Sequence, residues 1–214
     1  MQGWRSVLVT GASRGIGRSI AVEAARRGAR TVVVNYRRDR QGAEETARLV
    51  REAGAEPIIV KADVSNYSEV EKLVATAEDA GPVDLAVANA GVLRPGLFIE
   101  SSRSSWMEEV AVNLVGVLNL GHVLLPRMAS RRRGVFAIVS SVLGINPEPE
   151  ASVYSATKAG VIAWARAVAK ELAEYGVRVF TVAPGGVDTS MARAWGVPVE
   201  EWISEVPLRR LASP

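Results

Sequence analysis

Tyr154 and Lys158 stand four residues apart in a segment with helical periodicity, so their side chains lie on one face of a helix, one turn from each other. A tyrosine with a pKa of roughly 10 exchanges a proton near neutral pH only if that pKa falls by about three units, or ~4 kcal/mol. A cation about 5 Å away supplies ~3 kcal/mol of this. The pair therefore predicts acid-base chemistry. A Tyr-x-x-x-Lys spacing on its own, however, is more often a coincidence than a catalytic pair.

A glycine-rich segment, Thr10 to Gly17, follows the first apolar run and opens a helix. Glycines at positions 11, 15 and 17 let a backbone turn tightly and approach a pyrophosphate, while the helix N-terminus offers N–H groups to the anion. The spacing differs from G-x-G-x-x-G. A dinucleotide loop and a plain glycine-rich turn are both open at this point.

The second apolar run ends in Asn35, Tyr36, Arg37 and Arg38, without a carboxylate. Enzymes that bind NAD on such a sheet place a carboxylate there for the ribose 2′-hydroxyl, whereas a 2′-phosphate requires cations. Arg37, together with Arg14, could bracket that phosphate through charge-assisted hydrogen bonds. NADP(H) is favoured over NAD(H).

Strands and helices alternate along the chain. The predicted strands are Ser6–Thr10, Thr31–Val34, Pro57–Val60, Val83–Ala88, Val135–Ser140 and Val177–Ala183. The predicted helices include Ile16–Arg27, Gly42–Ala53, Ser68–Ala80 and Ser152–Tyr175, each followed by a glycine, and a buried core helix over Val110–Leu125. Strands apolar on both faces predict an α/β fold with a doubly wound parallel sheet, a Rossmann-type three-layer sandwich. Its ligands bind beyond the carboxyl ends of the strands.

Polar residues stand at two further strand ends: Asp63-Val64 after the third, and Asn89-Ala90-Gly91 after the fourth. With the Thr-Gly-x-x-x-Gly-Ile-Gly loop and the Tyr-Lys pair, they make the chain resemble the short-chain dehydrogenase/reductase family from Ser6 to Pro214. The resemblance implies that Asp63 bonds the adenine, that Asn89 to Gly91 stabilise the central sheet, and that Val187 and Thr189 meet the nicotinamide carboxamide. The cofactor-binding residues it implies are Gly11, Ser13, Arg14, Gly15, Ile16, Gly17, Tyr36, Arg37, Asp63, Val64, Asn89, Ala90, Gly91, Tyr154, Lys158, Pro184, Gly185, Val187 and Thr189.

The resemblance also implies a catalytic set. Ser141, thirteen positions before Tyr154, would hydrogen-bond a substrate carbonyl, and Tyr154 would protonate the developing alkoxide. Lys158 would lower the pKa of Tyr154 and hold the nicotinamide ribose. Asn113 matches the asparagine that is the fourth residue of the family's catalytic set. In the family, that asparagine supports a chain of water molecules leading to the lysine. Asparagine is a poor helix former, so its place in an apolar helix requires a reason.

The sequence is similar to the 3-oxoacyl-carrier-protein reductase branch of this family. Those reductases bind the acidic carrier protein through two basic positions; Arg132 matches one, but Tyr175 stands at the other. An acyl-thioester substrate with a carrier-protein partner at Arg132 is expected, while a small free ketone, a polyketide or an alcohol stays open. An epimerase is disfavoured because the chain is too short for a separate substrate domain.

Members of the family continue past the segment that resembles Pro207 to Pro214 with a further helix and a last strand, and both are missing here. We therefore expect one domain, 1–214, truncated at its C-terminus, as a fragment or a protein with altered assembly. The segment Met191 to Ile203 resembles the mobile substrate lid of the family and is short; its Trp195 and Trp202 are lid contacts or ordinary packing. Family resemblance suggests a homo-oligomer. A catalytically silent NADP-binding subunit is the competing function, opposed by the intact catalytic set.

The amino-acid composition excludes several kinds of site and partner. The 214 residues contain no cysteine, which excludes disulfides and thiolate metal sites, and no metal site is expected. The net charge is +3, with a basic run at Arg131 to Arg133, but aromatic residues do not interleave with it, so a nucleic-acid partner is not expected. No apolar run suits a signal peptide or a membrane span, and we expect a cytoplasmic protein without a membrane partner.

Overall fold

A computed structural model describes residues 4–193, 203–204 and 206–214. Six parallel strands form one sheet in the order β3-β2-β1-β4-β5-β6. The strands are β1 (Ser6–Val9), β2 (Thr31–Tyr36), β3 (Glu56–Lys61), β4 (Val83–Ala88), β5 (Gly134–Val139) and β6 (Val177–Val182). The helices are α1 (Gly15–Arg26), α2 (Arg40–Glu52), α3 (Tyr67–Asp79), α4 (Arg103–Glu109), α5 (Gly116–Ser130), α6 (Ser152–Glu171) and α7 (Ser190–Arg193). The predicted doubly wound fold is confirmed, and the strand order reverses between β1 and β4, where such sheets bind ligands.

Two apolar cores cover the two faces of the sheet. Leu8 of β1 belongs to one core, with Leu73 of α3 and Phe136 of β5. Val7 and Val9 belong to the other core, which includes residues of α1 and α2. Successive strand residues point to opposite faces, so both faces of a central strand are buried by helices.

The expectation that every strand is apolar on both faces is wrong for the two edge strands. Residues alternate between buried and more exposed positions along β3 and β6. Phe180 and Val182 of β6 are 46% and 51% exposed. An edge strand has a neighbour on one side only, so the helices that cover the sheet centre reach it incompletely.

Glycines end the helices as predicted. Gly28, Gly54, Gly81 and Gly176 all adopt positive φ, at 86°, 96°, 130° and 67°. A left-handed residue after the last helical turn reverses the chain toward the next strand, and glycine adopts it without a side-chain clash.

The predicted core helix is part of one long helical segment, Arg103–Ser130, in which a π-helical stretch, Val110–Val115, joins α4 to α5. The segment is long and apolar enough to cross a membrane by length and composition. More than half of its most apolar window is buried inside the protein, and Leu120 and Leu124 are core residues. This burial agrees with the predicted core helix.

Candidate active site

The glycine-rich loop between β1 and α1 packs against the end of β4 without room for side chains. Gly11 and Gly15 have φ values of 61° and 54°. A Cβ on Gly11 would lie 2.9 Å from the Ala90 Cα, and a Cβ on Gly17 would lie 2.5 Å from the Asn89 Nδ2. The bare backbone of this loop therefore forms the cradle that a dinucleotide requires.

The start of α1 is suited to an anion. Arg14 occupies the N-cap position in an extended conformation, and its side chain forms no capping hydrogen bond. The first N–H groups of a helix have no partner within the helix and favour negative charge. Ser13 is buried, whereas Arg14 is exposed and Gly15 and Ile16 are partly exposed. The loop thus fits the predicted pyrophosphate.

Thr10 and Asn89 tie the loop to the end of β4. The Thr10 hydroxyl accepts hydrogen bonds from the backbone N–H groups of Asn89 (2.9 Å) and Ala90 (3.1 Å). The Asn89 amide donates to the carbonyls of Thr10 (2.8 Å) and Gly11 (3.1 Å). Asn89 therefore links β1 and β4, as the family resemblance implied. Thr10 was missed as a site residue, although its place at the head of the loop was a visible signal.

Asn35 is a second residue that the sequence reasoning missed. Its side chain is buried at the end of β2, where the Oδ1 accepts the Gly11 N–H (3.2 Å) and the Nδ2 donates to the Ala62 carbonyl (3.0 Å). One amide thereby connects the ends of β1, β2 and β3. A polar residue inside an apolar strand run was the available signal.

The side chains of Tyr154 and Lys158 are buried on one face of α6. The Lys158 Nζ lies 5.5 Å from the centroid of the Tyr154 ring and donates a hydrogen bond to the Val139 carbonyl at 2.8 Å. A Cβ placed on Gly91 would lie 3.6 Å from this Nζ and 3.3 Å from the Asn113 Oδ1. The predicted Tyr154, Lys158, Asn113 and Gly91 are thus gathered beyond the ends of β4 and β5.

Asn113 lies in the π-helical stretch and is fully buried. Its Oδ1 accepts the Val92 N–H (2.8 Å), and its Nδ2 donates to the Val92 carbonyl (2.9 Å) and to the Thr157 hydroxyl (3.3 Å). These bonds are the reason for an asparagine in an apolar helix. It fastens the loop after β4 to α6.

The pKa of Tyr154 is raised, not lowered, by the protein around it. Burial raises it, a hydrogen bond with Ser141 opposes that rise, and the charge of the nearby Glu109 raises it further. Burial lowers the pKa of Lys158 to about 8. The expectation that Lys158 nearly suffices to bring the pKa of Tyr154 toward neutrality is not met, because burial of the phenol and the charge of Glu109 raise that pKa.

The loops after β5 and β6 meet beside the tyrosine. The Ser141 hydroxyl accepts the Leu143 N–H (3.1 Å), while the hydroxyl of Ser140, not predicted, donates to the Lys158 carbonyl (3.0 Å). The Val142 N–H donates to the Pro184 carbonyl at 2.8 Å. The two loops are therefore joined where the catalytic serine is predicted.

The β6 loop also reaches the glycine-rich loop. The Thr189 Cγ2 would lie 3.5 Å from a Cβ on Gly15. Val187 forms an isolated bridge with Ala212, and Gly185 borders open space. Trp195 and Trp202, predicted in a lid, lie outside the described residues.

Beyond the end of β2, Arg37 is held by two carboxylates. Its Nη1 lies 3.4 Å from the Asp63 Oδ2, and its Nη2 lies 2.9 Å from the Glu108 Oε1. Tyr36 and Val64 beside them are buried. Arg37 is therefore already paired with Asp63 and Glu108. The predicted arrangement, in which Arg37 and Arg14 hold a 2′-phosphate between them, stays a prediction.

The charges of this cluster shift the pKa values of its members. The hydrogen bond with Glu108 raises the pKa of Arg37. The pKa of Asp63 is lowered: its partial burial acts in the opposite direction, but hydrogen bonds from Ser65 and the guanidinium of Arg37 outweigh it. All of these groups are ionised at neutral pH.

The comparisons with known proteins agree with this architecture. The family model described as short chain dehydrogenase matches residues 5–198. The chain belongs to this family. It is accordingly an oxidoreductase that acts on a CH–OH or C=O group, and the family implies a nicotinamide cofactor.

Individual relatives carry more specific names. The 3-oxoacyl-[acyl-carrier-protein] reductase of Staphylococcus epidermidis is 35% identical over 208 residues, covering 96% of this chain and 85% of that protein. The reductase of the same name from Synechocystis is 37% identical, covering 97% of this chain and 83% of that one.

Two solved structures are similar in fold. A 3-oxoacyl-[acyl-carrier protein] reductase from Brucella melitensis superposes with a TM-score of 0.89 at 32% identity, covering 98% of this chain and 80% of that chain. A putative short-chain alcohol dehydrogenase from Sinorhizobium meliloti has a TM-score of 0.91 at 30% identity, with coverages of 99% and 85%.

Proposed function

We propose that this protein reduces the carbonyl of a 3-oxoacyl thioester with NADPH and that Tyr154 is the general acid. The observation that carries the proposal is the convergence of Tyr154, Lys158, Asn113 and Ser141 beyond the ends of two neighbouring strands. The names of the reductases from Staphylococcus epidermidis and Synechocystis support the substrate class.

Each side chain has a separate task. Ser141 donates a hydrogen bond to the substrate carbonyl and polarises it. Tyr154 gives its proton to the developing alkoxide, which becomes the product hydroxyl, and the ammonium of Lys158 stabilises the phenolate that remains. Asn113 keeps the loop after β4 against α6. The raised pKa of Tyr154 supports reduction, since a general acid must be protonated when substrate binds.

The residues at the carboxyl ends of the strands suit a nicotinamide dinucleotide. The bare loop from Gly11 to Gly17 and the start of α1 hold its pyrophosphate, and Asp63 and Val64 face its adenine. Val187 and Thr189 hold the carboxamide, and Lys158 holds the ribose. When bound, this cofactor supplies the hydride that the carbonyl carbon receives. Arg37 and Arg14 favour its 2′-phosphorylated form.

A second substrate class has its own support. Arg132, proposed to contact an acyl carrier protein, donates a hydrogen bond to the Glu174 carbonyl, and an uncharged Tyr175 follows. The Arg132 side chain is already hydrogen-bonded within its own chain, and Tyr175 carries no positive charge. This surface is therefore less suited to an acidic partner than one with two basic side chains. A small ketone or alcohol is therefore the alternative substrate.

The test follows the loss of NADPH absorbance on adding a short 3-oxoacyl thioester, a carrier-bound 3-oxoacyl thioester or a small ketone. We expect faster turnover of the thioesters, faster oxidation of NADPH than of NADH, and a loss of about 10²–10⁴-fold in Tyr154→Phe. Arg132→Gln should slow only the carrier-bound substrate. NADPH binding without turnover of any substrate would instead favour a catalytically silent NADP-binding subunit.

A further inference from the structure

Glu108 of α4 joins two arginines that come from different strand ends. Its Oε1 accepts from the Arg37 Nη2 at 2.9 Å, and its Oε2 accepts from the Arg94 Nη2 at 2.7 Å. Arg37 follows β2, and Arg94 lies in the loop after β4. The Arg37 and Glu108 side chains are only 28% and 26% exposed, so water screens their attraction incompletely.

We propose that Glu108 sets the preference between NADPH and NADH, because it occupies Arg37 until a 2′-phosphate displaces it. The inference rests on the proposed function, in which Arg37 binds that phosphate. Glu108 is accordingly a positioning residue that acts through Arg37.

When the Arg37 Nη2 changes partner from Glu108 to a phosphate, the remaining contacts keep the free-energy cost small. Asp63 holds the Nη1 of Arg37 at 3.4 Å, so the guanidinium stays at the end of β2 when its Nη2 changes partner. Glu108 keeps Arg94, whose Nη2 and Nε donate to its Oε2 at 2.7 and 3.2 Å. Neither charged group is left without a partner, which is the costly outcome for a partly buried ion.

The two cofactors compete differently for Arg37. A 2′-phosphate carries a formal charge near −2 and accepts charge-assisted hydrogen bonds from a guanidinium, so it can replace a carboxylate. A 2′-hydroxyl carries no charge and cannot. NADH therefore binds while Arg37 remains with Glu108, and only NADPH binding works against that ion pair.

The experiment measures dissociation constants of NADPH and NADH by cofactor fluorescence, on the full chain and at one ionic strength. Glu108→Gln keeps the side-chain size and removes the charge. Glu44→Gln is the matched control, because Glu44 pairs with Arg40 at 2.8 Å on the neighbouring helix α2 and does not touch Arg37. Arg37→Met and the double variant Arg37→Met/Glu108→Gln complete a double-mutant cycle.

We expect Glu108→Gln to bind NADPH about threefold to tenfold more tightly, as loss of one competing ion pair implies, and NADH within about twofold of wild type. Glu44→Gln should leave both constants within about twofold. In the Arg37→Met background, Glu108→Gln should change neither dissociation constant.

Three results would overturn the inference alone: weaker or unchanged NADPH binding in Glu108→Gln, equal tightening in Glu44→Gln, or an undiminished effect without Arg37. Weaker binding would assign Glu108 to holding Arg37 ready for the phosphate, and unchanged binding would assign it no role in cofactor choice. If the wild-type chain binds neither cofactor, or Arg37→Met leaves NADPH binding unchanged, the proposed function fails at its cofactor and the inference fails with it.

Discussion

The Lys158 Nζ lies 5.5 Å from the centroid of the Tyr154 ring while donating a hydrogen bond to the Val139 carbonyl. The ammonium is therefore held beside the phenol by the end of β5, with one neutral oxygen as its hydrogen-bond partner. Burial of this ammonium lowers its pKa to about 8.

Lys158 should make stability depend on pH. Its folded-state pKa lies below the unfolded value of about 10.4, so between these values the unfolded chain binds more protons and stability rises with pH. Replacing Lys158 with Met removes this term. We expect Lys158→Met to raise the free energy of unfolding by about 3 kcal/mol at neutral pH, relative to its effect above pH ~10.4. Urea unfolding at both pH values measures the difference.

The control for this prediction is Lys170→Met, on the exposed surface of the same helix. Because its side chain is exposed, this substitution should change the free energy of unfolding by no more than about 0.5 kcal/mol. An effect of Lys158→Met that does not change with pH would contradict the assigned shift.

Glu109 should control the pH profile of the reverse reaction. It is buried, accepts the Arg94 N–H at 2.8 Å, and its charge raises the pKa of Tyr154. Alcohol oxidation requires the phenolate, so removing this charge should move the acidic limb of the rate profile to lower pH. We expect that shift in Glu109→Gln and not in Glu100→Gln, which alters an exposed carboxylate. Coincident profiles of wild type and Glu109→Gln would exclude the role.

Asn113 should also be a structural residue. Its amide satisfies both backbone groups of Val92, and a leucine there would leave both without these partners. We expect Asn113→Leu to lower the free energy of unfolding by about 2–4 kcal/mol. Asn119→Leu loses one bond, to the Val64 carbonyl at 2.9 Å, and should cost about half as much. Chemical denaturation compares them, and equal losses would argue against the double contact.

Gly17 tests the close packing of the cofactor loop. A Cβ there would lie 2.5 Å from both the Asn89 Nδ2 and the Gly11 carbonyl oxygen. We expect Gly17→Ala to destabilise the protein by about 1–3 kcal/mol and to weaken NADPH binding. Gly160→Ala adds the same methyl group to α6, where it would lie 3.4 Å from the Leu114 Cδ1, and should stabilise the protein by up to about 1 kcal/mol. Thermal unfolding and cofactor titration of the two variants separate packing from helix propensity.

Local patterns predicted most of the fold. Apolar runs located all six strands, and the glycines that follow four helices have the expected positive φ. The exposed faces of β3 and β6 were not predicted, because nothing within a short apolar run says whether a neighbouring strand lies on one side or both. That information depends on the strand order, which is a property of the whole sheet.

The candidate site, like the fold, could be predicted only in part from the sequence. The sequence by itself determined which residues stand at strand ends and that Tyr154 and Lys158 share a helix face, since these depend on spacing alone. Only the tertiary structure decided that Glu108 pairs with Arg37, 71 positions away, and that burial raises the pKa of Tyr154. Pairing across such distances and the loss of solvent around a phenol arise only when separate elements pack together, so no local spacing could reveal them.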